Sequence, residues 1–189
     1  MLKILTAPNS VLTARTKPVN KVDKKIKKLV IDMEETLLTQ SDPQGVGLAA
    51  PQVGYSLALF IIKAKPSAET QVFINPKIIS SHSEPKVKNL AKRSAGSFAG
   101  AQDDSEEKME GCLSVPRIWA PLKRPSKVRV EWQDMDGQIH NEWFSGLNSI
   151  IVQHEIDHLK GILFTQRCLE EKVTLYEEKG DKLVKLKSV

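Results

Sequence analysis

"QHEIDHLKG", residues 153–161, sets His154 and His158 four positions apart with Glu155 beside the first. An α-helix turns once in ~3.6 residues, so groups four apart stack on one face and two imidazoles there can converge on a single cation. Flanking residues extend the pattern. Between Leu147 and Lys160, the residues Leu147, Ile150, Ile151, His154, His158 and Leu159 fall on or near one helical face, and Gly161 stands where a helix would be capped. The histidines therefore face inward with the apolar residues, and the helix needs other layers to pack against.

Those layers are legible on both sides of it. "LALFIIK" (57–63) and "QVFINPKIIS" (71–80) are rich in branched and aromatic residues and read as strands. "KVRVEWQDMDGQIHNEWF" (127–144) alternates apolar and polar residues around "DMDG", a hairpin in which Asp136-Gly137 supplies the turn. The tail "VTLYEEKGDKLVKLK" breaks at Lys179-Gly180-Asp181 between two apolar stretches, which predicts another turn and strand. From Lys21 to Leu38, the residues Ile26, Leu29, Val30, Met33, Leu37 and Leu38 recur at helical spacing, the pattern of a scaffold helix laying one face on a core. The fold class expected is α+β: largely antiparallel sheets packed around a central helix that carries the histidines, with an N-terminal scaffold helix. A chain of 189 residues fits one domain, 1–189, because single cores hold to roughly 250 residues. Residues 91–108, "AKRSAGSFAGAQDDSEEK", have almost nothing to bury and read as a loop insertion or disordered insert.

Composition narrows the function classes. A net charge of +5 is mild, compatible with an RNA-rich neighbourhood but not the concentrated charge of a dedicated nucleic-acid binder. The amino terminus "MLKILTAPNSVL" lacks the apolar core and cleavage site of a signal peptide, and no run approaches the ~20 apolar residues of a membrane span. A cytoplasmic protein is expected. Cys112 and Cys168 are the two cysteines, and in a reducing compartment each reads as a packing residue, a nucleophile or a metal ligand before half of a disulfide.

The chemistry begins with His154-Glu155-Ile156-Asp157-His158, an H-E-x-x-H motif in which two imidazoles bind a divalent metal and the adjacent carboxylate can take a proton from water at that metal. The bland reading, two histidines satisfied in a core, is weakened because burying imidazoles beside a carboxylate is costly without a partner. No histidine follows His158 to complete an extended zinc-protease motif. Cys112, in "EGCLSVP" (110–116), is the best candidate for a third ligand, as a thiolate beside Gly111, which permits an unusual backbone approach. Taken alone, a cysteine after glycine is more often an ordinary buried thiol. "GVGLAAPQVG" (45–54) lacks the third glycine of a nucleotide-binding loop, so close backbone approach to a substrate is the better account. In that stretch Gln52 can donate its amide to an oxygen that becomes negative, or can simply hydrogen-bond a loop.

"GVGLAAPQ" at 45–52, "EGCLS" at 110–114 and "HEIDH" at 154–158 together resemble the peptide deformylase family, whose pattern has these three motifs in this order. The resemblance runs from the first helix to about Arg167. It implies removal of the formyl group from N-formylmethionine at the start of new polypeptides. It also implies Cys112, His154 and His158 as metal ligands, Glu155 as general base and acid, and Gln52 with the backbone amide of Leu113 as oxyanion donors. Gly47 is expected to present backbone to the peptide, with Val46, Ile150 and Ile151 lining the methionine pocket. One divalent ion is expected: the donors suit zinc, iron, cobalt or nickel, and the resemblance favours Fe2+. Expected partners are N-formylmethionyl nascent peptides and, through them, the ribosome, with no DNA and no membrane; the oligomeric state is left open. Two departures stand out: the 91–108 insertion, and Arg117 where glycine is common in the family. The rivals are an H-E-x-x-H endopeptidase, which the absent downstream ligand disfavours, and a catalytically idle relative that binds peptides or the ribosome.

Overall fold

Asp23 starts the first long helix by accepting the backbone N–H groups of Lys25 and Ile26 at 2.9 and 3.0 Å, and α1 runs Lys24–Leu38. The computed structural model describes residues 1–41, 44–63, 67–82 and 109–186, so the expectation for 91–108 lies outside the described residues. Ile26, Leu29, Val30, Met33 and Leu37 of α1 are buried as the periodicity requires, but Leu38 is 51% exposed. Adjacent residues on a helix point about 100° apart, and the core-facing stripe takes Leu37, leaving its neighbour in solvent.

The strands are β1 (Gly47–Ala49), β2 (Leu59–Ile62), β3 (Gln71–His82), β4 (Glu110–Cys112), β5 (Val115–Ala120), β6 (Lys127–Gln133), β7 (Ile139–Ser145), β8 (Tyr176–Lys179) and β9 (Lys182–Lys185). They form a five-stranded sheet, β1-β2-β3-β6-β7, and a four-stranded sheet, β4-β5-β8-β9. Among the described residues every ladder between these strands is antiparallel. The hairpin expected at 127–144 and the turn and strand expected in the tail are both present. In the β6–β7 turn the Asp134 carboxylate accepts N–H bonds from Asp136 and Gln138, each at 2.9 Å, and Gly137 takes φ +81°. Gly180, at φ +59°, joins β8 to β9. The short strands β1, β4 and β5 escape a periodicity reading because three to six residues hold too few alternations, and so does α3 (Phe164–Glu170).

The histidine helix, α2, runs Gly146–Leu159. Gly161, at φ +74°, donates its N–H to His158 O while Ile162 donates to Asp157 O, the paired bonds of a Schellman cap. Only glycine fits there, since a Cβ would meet the Thr13 carbonyl at 2.6 Å. The one-face reading of this helix needs correction. Leu147 is 56% exposed, Ile150 is half-buried, and the polar residues Gln153, Glu155 and Asp157 are buried with the histidines. The apolar floor of the five-stranded sheet packs with Ile151, Val152, Ile156 and Leu159, while β4 brings Glu110 and Cys112 to the histidines. Past its exposed first turn, α2 is enclosed on more than one side and has no solvent face for polar groups to mark.

Candidate metal centre

One turn of α2 separates His154 and His158, and their Nε2 atoms lie 3.2 Å apart. Cys112 Sγ, at the end of β4, is 3.2 Å from His158 Nε2. The three ligand atoms all lie within 4.8 Å of one another and all three residues are buried. Two nitrogens sharing a tetrahedral ion with bonds of about 2.0–2.1 Å are separated by about 3.3 Å. The nitrogen spacing and the borderline-soft N,N,S donor set therefore fit a divalent transition metal.

The electrostatics agree. Burial opposes ionisation of Cys112, yet the imidazoles of His158 and His154 bring its thiol well below the usual range. Burial likewise opposes charge on His154, but Cys112 and Glu110 raise it well above an ordinary histidine. Glu155 responds in the other sense: burial pushes its carboxyl up to about 7, against the pull of His154 and His158. Its Oε2 is buried without a hydrogen-bond partner among the described residues, as is His158 Nδ1. An unpartnered buried carboxylate oxygen beside three convergent donors fits a site that would hold a cation together with a water.

Glycine explains how Glu155 reaches this position. A Cβ on Gly47 would lie 2.4 Å from Glu155 Oε1, so β1 can pass the carboxylate only without a side chain. The close approach seen at Gly47 is therefore to the Glu155 side chain, whereas the sequence suggested an approach to a substrate. Gln52, 2% exposed, is fixed by Ala49 N–H donating to its Oε1 at 2.8 Å, which turns the amide Nε2 toward Ser114 Oγ (3.2 Å) and Cys112 Sγ (3.6 Å). Leu113 follows Cys112 in the β4–β5 turn. The cavity beside these groups measures ≈ 180 Å³. Val46, Gly47, Gln52, Leu113, Ile150 and Ile151 all line it, and so do Cys112, His154 and Glu155. His158 lies behind, 1% exposed.

A second layer went unread in the sequence. Glu110 Oε1 contacts His154 Nδ1 at 2.7 Å and shares a two-pronged pair with Arg124, both bonds 2.6 Å. Arg124 also donates to Asp157 Oδ2 at 2.9 Å, and Asp157 takes two further bonds from Arg167. Burial raises Glu110, but the bonds from Arg124 and His154 prevail and bring it down to about 2. Glu110 and Asp157 stand inside the quoted motifs, a signal that could have marked them. Arg124 and Arg167 carry no local signal at all.

The model of the family described as "Polypeptide deformylase" matches residues 1–174. The peptide deformylase of Novosphingobium aromaticivorans is 34% identical over 97% of this chain and 97% of its own length. That of Bradyrhizobium diazoefficiens is 38% identical over 86% of this chain and 84% of its own. Among solved structures, a peptide deformylase from Legionella pneumophila superposes with TM-score 0.72 at 36% identity, covering 88% of this chain and 85% of that one. One from Synechococcus elongatus in complex with actinonin gives TM-score 0.72 at 31% identity, covering 88% and 79%.

Proposed function

This chain belongs to the peptide deformylase family, and from that premise we propose that Cys112, His154 and His158 hold one divalent metal ion, with Glu155 as the group that moves the proton. The activity is hydrolysis of the N-terminal formyl group of formylmethionyl peptides, releasing formate. The endopeptidase and idle-binder readings find no support among the relatives. The observation that carries the site assignment is the three-donor cluster beside a buried carboxyl that is raised to about 7 and lacks a partner at Oε2.

When bound, the metal would supply Lewis-acid polarisation of the formyl carbonyl and a more acidic water. Glu155 accepts the proton of the attacking water and returns it to the departing amine; a carboxyl titrating near neutrality suits both roles. Gln52 Nε2, aimed by its bond from Ala49, and the backbone N–H of Leu113 donate to the oxygen that gains charge. Glu110 orients the His154 ring from behind. Val46, Ile150 and Ile151 receive the methionine side chain, while Gly47 offers backbone to the peptide and leaves space for Glu155.

The ion in the cell is Fe2+ on this reading, with Zn2+, Ni2+ and Co2+ accepted by the same donors. The whole chain, 1–189, acts as one catalytic domain in the cytoplasm, where it meets nascent chains at the ribosome. Among the described residues no helix is long and apolar enough to cross a membrane. The test is metal analysis of protein purified without oxygen, with formate release from formyl-Met-Ala-Ser measured in parallel with unformylated and internally cleavable peptides. Iron at about one per chain with release from the formylated peptide alone is expected. A Cys112→Ser variant that keeps full metal content and affinity would remove Cys112 from the ligand set.

A further inference from the structure

Trp119 stands in the wall of the cavity, outside every role assigned above. It lies on β5 with its ring against Gly111: a Cβ there would be 2.7 Å from Trp119 Cε3 and 2.8 Å from Cζ3. A glycine one residue before Cys112 is thus what lets an indole rest beside the metal-binding strand. The indole N–H is engaged elsewhere. It donates to Glu178 Oε2 at 2.8 Å, reaching 59 residues along the chain. Glu178 belongs to β8, which pairs with β5 through Ile118 with Glu177 and Trp119 with Tyr176. The β8–β9 hairpin begins beyond residue 174, where the family-model match stops, and among the described residues touches the cavity wall only through Trp119. Cys112 and His154 are buried, Trp119 is half-buried, and Met109, also in the lining, is 37% exposed, so Trp119 lies between floor and mouth.

We propose that Trp119 is a specificity-determining wall for the peptide residue that follows formylmethionine, favouring an apolar side chain there, and that Glu178 is a positioning residue that holds the indole in place through its N–H. The proposal rests on the cavity being the peptide site. A tryptophan offers a large apolar face with one polar edge; with that edge tied to Glu178, the face is free for a substrate side chain. Fixing an indole in advance lowers the ordering cost of binding and so acts on substrate affinity, not on the chemical step.

The experiment compares wild type, Glu178→Ala, Glu178→Gln, Trp119→Phe and the Trp119→Phe/Glu178→Ala double variant with formyl-Met-Leu-Ser and formyl-methionine amide as substrates. Binding of the unformylated peptide Met-Leu-Ser is measured by calorimetry, and metal content is measured throughout. Glu178→Ala is expected to raise KM for the longer substrate, and Kd for the peptide, by about three- to tenfold, the range that one net hydrogen bond spans. The turnover number, the short substrate and metal content stay at wild-type values. Glu178→Gln, whose amide oxygen still accepts, restores near-normal KM. In the Trp119→Phe background, removing Glu178 adds nothing further, because the N–H it held is gone. A KM unmoved by Glu178→Ala, or a Glu178→Ala effect that persists in full without the indole N–H, overturns the proposal. Such a result with metal and deformylation intact leaves the site assignment standing, whereas full metal retention in Cys112→Ser sinks that assignment instead.

Discussion

Arg124→Met tests whether the charged layer behind the histidines supports the fold as well as the site. The Arg124 side chain is 5% exposed and its guanidinium makes three bonds, two of 2.6 Å to Glu110 and one of 2.9 Å to Asp157, whose side chains are also 5% exposed. Methionine keeps an unbranched stem in the same space, so the change removes the charge and its bonds with little loss of packing. Breaking a buried pair from one side costs about 3–5 kcal/mol, since the other charge stays buried. Here Glu110 retains its contact with His154, and Asp157 retains two bonds from Arg167. The lower end, about 3 kcal/mol, is therefore expected. Urea unfolding at pH 7 with a chelator present measures this without the contribution of bound metal. The same variant loosens Glu110 behind His154, and metal affinity falls by about 10- to 100-fold, the range for partners behind a ligand. A loss of stability under about 1 kcal/mol, with metal affinity unchanged, would show that the Arg124 bonds do not support the fold and that the layer does not orient His154.

Glu155→Gln keeps the metal, measured by elemental analysis, and loses about 10²- to 10⁴-fold in turnover; near-normal turnover with full metal would end its role as base. Arg117 sits at φ +63°, a backbone that favours glycine. Arg117→Gly relieves a strain of about 1–2 kcal/mol and returns part of it as unfolded-chain entropy, so thermal unfolding should show a gain of about 0.5 kcal/mol, absent in Arg117→Ala. Glu34 accepts from Thr70 Oγ1 at 2.6 Å and from Lys63 Nζ at 3.0 Å, and these bonds lower its pKa. A lowered folded-state pKa contributes stability that is present above the unfolded value and lost as pH falls through the folded one. Glu34→Gln therefore costs about 1 kcal/mol at pH 7, discounted for partial exposure; the gap to wild type begins to narrow below about pH 4.3 and closes as pH falls through the lowered folded-state value. A gap that is constant from pH 7 to pH 3 in urea melts contradicts this.

Local spacing by itself determined a good deal. His154 and His158 had to share a helical face because they are four apart, "DMDG" and "KGD" had to be turns, and the runs flanking them had to pair antiparallel. The family followed from three motifs in order. Spacing failed where the environment, not the period, chose a residue's place. Leu38 and Leu147 carry the right period for burial and are exposed, since a helix has more apolar positions than its neighbours cover. Glu155, Asp157 and Gln153 look like solvent-face residues and are buried, because α2 is enclosed on more than one side. Trp119 over Gly111, and Gly47 under Glu155, are contacts between segments 8 to 108 residues apart. Only the tertiary structure decided which arginines matter. A buried carboxylate such as Glu110 must find its cation in three dimensions, and Arg124 and Arg167 are selected by the geometry that brings β4, the β5–β6 connection, α2 and α3 together, which no local pattern encodes.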